Sequence, residues 1–438
     1  MPPIVLFLAV LVSFVMSVWG LTRPFSSLHG RHVIRSVYSN RGLSSLQKFP
    51  GFSKSDKFFA SAEDAEEEEL KLDVADACPS SFDSKFMQTL LERGFIHQCT
   101  DYKGLDAKLN SEVVPAYLGF DATASSLHVG SLLQIMILRI LQQSGHKPII
   151  LIGGGTTKVG DPTGKDESRK LLSEEMIKSN SDSIGKIFQK FIKFGEGPND
   201  AIMVNNADWL DGIKYLEFLR DYGRHFSIGR MLAFESVKQR LARPQPFSFL
   251  EFNYLLLQSY DFLELYRTHK ALLQIGGSDQ WGNIVSGVEL TRKVERKQLF
   301  GLTAPLITKS DGTKMGKTAS GAMWLDKTLL SEFEYWQFWR NTDDADVIKF
   351  TKLFTELPLS DINEMEANWT GADLNKAKVI LADQATMMLH GEECLAAIHE
   401  TASSLFAKDK GEGGDMESLP KVVLEAEDGA LMAQGGGT

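Results

Sequence analysis

The stretch that most limits how this chain can fold runs from residue 113 to residue 155. Val113 to Phe120 is mostly apolar and reads as a strand. After a short turn comes Ser126-Leu127-His128-Val129-Gly130-Ser131. Leu127 to Gln143 then reads as a helix, with Leu132, Ile135, Met136, Arg139 and Ile140 mostly on one face and Gly145 as its stop. Lys147 to Ile152 reads as a second apolar strand, ended by Gly153-Gly154-Gly155. Ile202 to Val204 is a short strand between helical stretches expected at 173–195 and 211–240, and Phe82 to Arg93, closed by Gly94, reads as a first helix. Strands alternating with helices argue a Rossmann-like α/β layout: a parallel sheet with helices on both faces. Ligands in such sheets sit at the carboxyl ends of the strands, here Gly119-Phe120-Asp121 and Gly153-Gly154-Gly155.

At 438 residues and 43% hydrophobic, the chain can bury more than one core. Past residue 330 the composition shifts. Trp336, Phe338, Trp339, Phe350 and Phe354 precede helix-periodic Leu374, Ala377, Leu381, Ala385 and Met388, so a small all-helical domain is expected over 333–406. Residues 407–438 are rich in Gly and acids and are expected to lack structure. Residues 1–55 read as a targeting leader. An apolar Ile4 to Trp19 resembles a signal core, and Arg23, Arg31, Arg35, Arg41, Lys48 and Lys54 follow without any acid before Asp56. That two-part pattern resembles a plastid leader, with a mitochondrial presequence as the rival and no stable membrane association expected after its removal. Residues 56–81 form an acidic linker with Glu63-Asp64-Ala65-Glu66-Glu67-Glu68-Glu69 at its centre. That leaves 82–305 for the α/β domain and 306–332 for a lysine-bearing loop and linker. The net charge of −10 requires any nucleic-acid surface to be a local patch. Cys78, Cys99 and Cys394 are scattered and suit neither a disulfide framework nor a zinc site.

Three segments carry chemistry. Gly119 and Gly130 let backbone approach a nucleotide, and His128 at a helix start can meet phosphate oxygens. Gly276-Gly277-Ser278-Asp279-Gln280-Trp281-Gly282-Asn283 follows the apolar Leu272-Leu273-Gln274-Ile275, so two glycines and a carboxylate sit at a strand end, where Asp279 can accept from ribose hydroxyls. In Ser310-Asp311-Gly312-Thr313-Lys314-Met315-Gly316-Lys317-Thr318, two ammonium groups on a Gly-hinged loop can close on phosphate charge. Each segment alone has an ordinary reading: a capped helix, a glycine turn, a solvated basic loop. Together and in this order they fit an enzyme that activates a carboxylate with ATP.

The set resembles the class I aminoacyl-tRNA synthetases, whose signatures are the "HIGH" and "KMSKS" strings. More narrowly it is similar to the bacterial-type tyrosyl-tRNA synthetases over 82–406. The strings that carry this are Tyr117-Leu118-Gly119-Phe120-Asp121, Gly160-Asp161-Pro162-Thr163-Gly164-Lys165, Asn253 to Phe262, Gly276 to Asn283 and the Lys314 loop. The resemblance implies that Tyr117 and Asp261 meet the phenol hydroxyl of tyrosine. It implies that Tyr254, Gln258 and Asp161 bind its ammonium group and that Gln280 touches its carboxyl end. Gly119, Gly277 and Asp279 would hold the ribose, with Asp121, Gly130 and Ser131 on the same ATP-binding rim. Thr123 and His128 would contact the γ-phosphate, and Lys165, Arg169, Lys314 and Lys317 would neutralise the leaving pyrophosphate. The implied partners are L-tyrosine, ATP with Mg²⁺ as substrate, tRNA(Tyr) and a second copy in a homodimer, with no tightly bound metal. The 333–406 region would be anticodon-binding-like.

Three departures stand out. Ser131 occupies the place of the last histidine of the first signature. Leu118 replaces a small polar residue near the ribose. The chain stops at Thr438, too soon to contain the small RNA-binding domain found in most bacterial-type members, so that domain is expected to be absent unless the sequence is a piece of a longer one. The rival readings are a tryptophanyl-tRNA synthetase, an RNA-binding or splicing accessory protein that has lost catalysis, and a nucleotidyltransferase on a similar sheet.

Overall fold

The structure, a computed structural model, describes residues 77–162, 172–310, 312–313, 315–318 and 321–408. The expectations for the leader, for most of the acidic linker and for residues 409–438 lie outside the described residues, as do Lys165, Arg169 and Lys314.

Six strands form the main sheet: β1 (Gln98–Cys99), β2 (Pro115–Phe120), β3 (Lys147–Ile152), β4 (Ile202–Asn205), β5 (Leu273–Gly277) and β6 (Phe300–Ala304). Their order is β1-β6-β5-β2-β3-β4. The five strands from β6 to β4 run parallel, and β1 closes one edge antiparallel to β6. The chain therefore builds outward from β2 through β3 to β4, then returns to lay β5 and β6 on the other side. Between β2 and β5 the winding reverses, which opens a crevice at the strands' carboxyl ends. Tyr117 and Gln274 lie opposite each other in register across that reversal.

The helices preceding β5 are α1 (Lys85–Arg93), α2 (Tyr102–Ser111), α3 (Val129–Gln143) and α4 (Glu174–Phe191). They are followed by the short α5 (Ala207–Leu210), α6 (Tyr215–Asp221), α7 (Ile228–Ala233) and α8 (Glu235–Leu241), and then by the long α9 (Phe249–His269). After β5 come α10 (Trp281–Glu295), α11 (Glu332–Arg340), α12 (Asp344–Phe354), α13 (Leu359–Asn368), α14 (Ala372–His390) and α15 (Leu395–Lys408). A two-strand ribbon, β7 (Lys317–Thr318) with β8 (Gly321–Ala322), lies between β6 and α11.

Local chemistry sets the ends of these elements. Ser84 caps α1 through Met87 N–H, and Gly94 at φ +85° ends it by donating to the carbonyls of Leu90 and Leu91. α9 starts on a capping box in which Ser248 and Glu251 satisfy each other's backbone, and α11 on the same device with Ser331 and Glu334. Helix α3 begins at Val129, two residues later than the periodicity suggests, because His128 stays extended and serves as the cap.

The helical stretch expected over 211–240 is helical only in pieces. That span breaks into α6, a 3₁₀ turn at 223–225, α7 and α8, because Phe226, Ser227 and Phe234 are extended. Phe234 is extended where its ring packs on Gly282 of α10; a Cβ there would lie 2.9 Å from the ring. β1 and β6 carried no clear sequence signal, and with β1 the sheet becomes mixed rather than wholly parallel. The helical region from α11 onward has its own aromatic centre, with Trp339 fully buried among Tyr335, Phe350 and Phe354.

The α/β core is close-packed at β6. A Cβ on Gly301 would lie 2.4 Å from Ile284 Cγ2 of α10 and 3.3 Å from Thr100 Cγ2. Gly301→Ala should therefore lower the stability of the α/β core by about 1–3 kcal/mol through overpacking, visible as a lower urea midpoint. An unchanged midpoint would show that α10 can lift from the sheet without cost.

Candidate active site

A cleft of about 480 Å³ opens at the winding reversal. Its floor is the end of β2, and the ends of β3 and β5 and one face of α9 complete it. Of the residues singled out from sequence, Tyr117, Gly119, Asp121, Thr123, His128, Ser131, Asp161, Tyr254, Gln258, Asp261, Asp279 and Gln280 all line this one cleft. They come from segments up to 163 residues apart in the chain. Gly130 and Gly277 do not line it. Lys317 is described only in its backbone, as the start of β7.

The deep end is built around Asp261. This carboxylate on α9 is 1% exposed. Its Oδ2 accepts from Asn206 Nδ2 at 2.9 Å and its Oδ1 from Trp209 Nε1 at 2.8 Å. Asn206 is fixed in turn, accepting from Gly155 N–H at 2.8 Å and donating to Thr156 Oγ1 at 3.0 Å. Burial pushes the Asp261 carboxyl up to about 7; the Asn206 and Trp209 donors pull against it and the charge of Asp121 adds to it. Opposite lies Tyr117, packed edge-on against Phe262 at 5.2 Å between ring centroids. Its hydroxyl is buried without a hydrogen-bond partner, and so is Gln274 Oε1 on the neighbouring strand. Burial, with the Asp261 charge behind it, holds the Tyr117 phenol well above the usual tyrosine range. A buried hydroxyl left unpaired costs about 1–3 kcal/mol. Two such atoms side by side at the bottom of an open cleft mark a place built for a polar group from outside.

Nearer the mouth the side chains already hold one another. Tyr254 Oη donates to Asp121, 3.3 Å from each carboxylate oxygen, and Asp121 Oδ1 also accepts from Thr156 Oγ1 at 2.9 Å. Gln280 Nε2 donates to Asp161 Oδ2 at 2.8 Å. Asn283 Nδ2 donates to Gln258 Oε1 at 2.9 Å and to Gln280 Oε1 at 3.1 Å. Asp121 and Asp161 thus stand beside Tyr254, Gln258 and Gln280 at one station, an acceptor-rich wall suited to an ammonium group. Asp121, assigned from sequence to the nucleotide rim, also reaches this wall.

The two signature segments touch. Val129 N–H donates to Met323 O at 2.8 Å, Leu325 N–H to Leu127 O at 2.9 Å, and Met323 N–H to Gly316 O at 3.0 Å. Trp324 pairs with His128 as an isolated antiparallel bridge. Gly316 takes φ +86° at this junction, and a Cβ on it would lie 2.7 Å from Gly130 N. Gly130 is required for an internal reason as well: a Cβ there would strike the His128 ring at 2.7 Å and approach Met315 O at 3.2 Å. Sequence reasoning ascribed Gly130 to nucleotide approach; the contacts in the structure are with His128 and the loop. Gly119 is the opposite case, since its Cβ would meet only Leu151 Cδ2 at 3.8 Å. His128 Nδ1 accepts from Gly130 N–H at 3.0 Å.

Asn206, Trp209, Thr156, Gln274 and Asn283 were missed from sequence. The signal for the first two was present: Asn205-Asn206 follows directly on a strand, at the same rim as the other sites, and Trp209 is three residues on. Among the described residues no three His, Cys, Asp or Glu side chains come together as a metal site.

The family of class I tRNA synthetases for tryptophan and tyrosine matches residues 109–407. A tyrosine–tRNA ligase of Rhodospirillum rubrum is 57% identical over 344 residues, which is 78% of this chain and 81% of that one. The tyrosine–tRNA ligase of Caulobacter vibrioides is 58% identical over 349 residues, covering 80% and 82% of the two chains. Among solved structures, a C-terminally truncated mitochondrial tyrosyl-tRNA synthetase of Aspergillus nidulans superposes with a TM-score of 0.66 at 30% identity, over 78% of this chain and 100% of that one. The extent of the family match and the identity to these relatives agree with the crevice at the β2/β5 reversal, and the chain belongs to the class I tRNA synthetases of the tryptophan and tyrosine group.

Proposed function

We propose that this chain is a tyrosine–tRNA ligase: it activates L-tyrosine with ATP and transfers the tyrosyl group to tRNA(Tyr). The observation that carries this reading is the facing pair at the bottom of the cleft, a buried, unpaired Tyr117 hydroxyl and the buried Asp261 carboxylate. A phenol satisfies both at once. Its oxygen accepts from Tyr117 while its proton goes to Asp261. An indole has a donor and no acceptor, so it would leave Tyr117 unpaired. A phenyl ring would leave Tyr117 unpaired and bring Asp261 no further donor.

The remaining roles are those that the resemblance implies. The ammonium group of tyrosine meets Tyr254, Gln258 and Asp161, with Asp121 beside them, and its carboxylate lies near Gln280. ATP enters as its Mg²⁺ complex along the rim formed by Gly119, Ser131 and Asp279, with Thr123 and His128 toward the phosphates. The tyrosine carboxylate attacks the α-phosphorus, the bond to the β-phosphate oxygen breaks, and pyrophosphate leaves. Lys165, Arg169, Lys314 and Lys317 supply the opposing charge. In the second step a hydroxyl of the terminal adenosine of tRNA attacks the carbonyl carbon and AMP leaves. No side-chain nucleophile is required, because orientation and electrostatics supply the acceleration.

We further propose that the enzyme works as a homodimer in an organelle, the plastid by its leader, with the mitochondrion as the alternative. Tyr215, Leu216, Ile228, Leu232, Leu241, Phe249 and Leu250 are all exposed and fall within one span of the chain, a concentration of apolar surface suited to a second copy. Among the described residues, no helix is long and apolar enough to cross a membrane.

Pyrophosphate exchange into ATP tests the reaction. Tyrosine should support exchange, and phenylalanine should be disfavoured by about 1–3 kcal/mol for the Tyr117 hydroxyl left unpaired, roughly 5-fold to 150-fold, with the lost donor to Asp261 adding to it. Exchange with tryptophan but not tyrosine would sink the assignment.

A pH dependence follows from Asp261. Its ionised form is the stronger acceptor for the phenol O–H, so kcat/KM for tyrosine in exchange should fall as pH drops below about 7. The effect on stability has the opposite sign. A carboxyl raised from 3.8 to about 7 favours the protonated folded state, so its contribution declines as pH rises across that window and is flat above it. A profile for tyrosine that stays level from pH 5.5 to 8 would remove Asp261 from phenol recognition.

For assembly, light scattering at micromolar concentration should give a dimer, and Leu216→Asp with Ile228→Asp should shift it to monomer. A parent protein that is monomeric and fully active would contradict the proposal.

A further inference from the structure

Helix α3 has two ends with different neighbours. Its N-cap is His128, at the nucleotide rim. Three to four turns on, Arg139 and Gln143 face the turn between α12 and α13 in the helical region. Arg139 makes a two-pronged contact there, Nε to Glu356 Oε1 at 2.5 Å and Nη2 to Glu356 Oε2 at 2.8 Å. Gln143 Nε2 donates to the same Oε1 at 2.5 Å. The remaining arm of Arg139, Nη1, donates to Phe191 O at the end of α4. Beside it Arg93, the last residue of α1, donates to three carbonyls of the same turn: Lys352 and Thr355 through Nη1 at 2.8 and 3.0 Å, and Leu357 through Nη2 at 2.7 Å. The Lys352 and Thr355 carbonyls are among those that end α12 without a partner of their own helix.

The arrangement fixes an orientation more than it stabilises the fold. The Arg139 and Glu356 side chains are 25% and 38% exposed, and exposed ion pairs contribute little to folding. A planar guanidinium gripping a carboxylate at both oxygens, with its third arm on the end of α4, nevertheless permits one geometry only. The Arg139 guanidinium, aided by Gln143 and Arg93, holds the Glu356 carboxyl below the usual glutamate range, so the clasp stays charged at neutral pH.

We propose that Arg139 and Glu356 are positioning residues for the tRNA step: through α3 they set the angle between the helical region and the nucleotide rim. The inference rests on the ligase reading above and on the anticodon-binding-like role that the resemblance implies for residues 333–406, where a tRNA whose 3′ end must reach the cleft would be held. Amino-acid activation needs only the cleft, so it does not depend on the clasp. Transfer needs both ends of the tRNA placed at once.

The test uses Glu356→Ala and the nearly isosteric Glu356→Gln in the full chain. The expected result is pyrophosphate exchange within about twofold of the parent, with KM for tRNA in aminoacylation raised about 2- to 30-fold. The Gln variant, which keeps one acceptor for Gln143 and Arg139, should fall between Ala and parent. Should the Ala variant fail to fold, the Gln variant carries the test alone. The proposal is overturned if exchange and aminoacylation decline by the same factor, which is what a merely structural role would give, or if KM for tRNA does not move. A parent protein that performs no exchange with tyrosine fails the ligase reading itself, an outcome distinct from either of these.

Discussion

A buried carboxylate is the constraint around which this molecule is arranged. Asp261 sits in the interior of α9, and an ionised group there is tolerated only if donors surround it. Asn206 and Trp209 supply two, from the segment just after β4, and Asn206 is itself locked by the Gly155-Thr156 turn after β3. One acidic side chain therefore ties together α9 and the ends of β3 and β4. The donors are too few to cancel the burial, and the carboxyl still rests near 7. The unfilled demand of Asp261 and the unpaired hydroxyl of Tyr117 face the same space. A site that leaves its own polar groups unpaired until substrate arrives spends some stability on discrimination, because a ligand lacking the matching group cannot recover the loss.

The nucleotide side of the cleft obeys a different rule. There, backbone makes the close contacts. The loop around Gly316 lies against the start of α3, and backbone hydrogen bonds from Val129, Met323 and Leu325 join two segments about 190 residues apart in the chain. Only glycine fits at 316, where φ is positive and Gly130 N is 2.7 Å from a would-be Cβ. The start of β7, which bears Lys317, is thereby registered against the helix capped by His128. The backbone that bears Lys317 and the cap of α3 come to one rim through backbone hydrogen bonds, with little demand on side-chain identity at Val129, Met323 or Leu325.

Much of this was legible in the sequence. The β2-α3-β3 unit reads clearly because its signals agree: an apolar strand, a cap, a helical period, a glycine stop and another apolar strand. The cleft residues were recoverable because they sit in dense polar strings at strand ends. What stayed hidden depends on tertiary context. Residues 211–240 have helix-forming composition, yet Phe234 is held extended where its ring rests on Gly282, a partner nearly fifty residues away. β6 reads as part of a loop until β5 and β1 flank it. Asn206 and Trp209 carry no motif; their role exists only because α9 brings Asp261 over them. Gly130 looked like a ligand-approach glycine, and only the structure shows the His128 ring and the Met315 carbonyl occupying that space.

The distribution of rigid and adaptable parts then follows from what each step must distinguish. Tyrosine differs from phenylalanine by one hydroxyl, and in the proposed reading that difference is read by Tyr117 on a central strand and Asp261 on α9, both held by the core. In the same reading ATP is met with more tolerance, by a rim of backbone and small polar groups. Transfer to tRNA requires agreement across the length of the molecule, and the element that spans this distance is α3. It carries the nucleotide cap at one end and the Arg139 clasp at the other, and its apolar face is buried against the sheet. A helix so fixed cannot report on one end without constraining the other. The same packing that secures the βαβ unit therefore also links the rim of the cleft to the helical region, which in the proposed reading receives the tRNA.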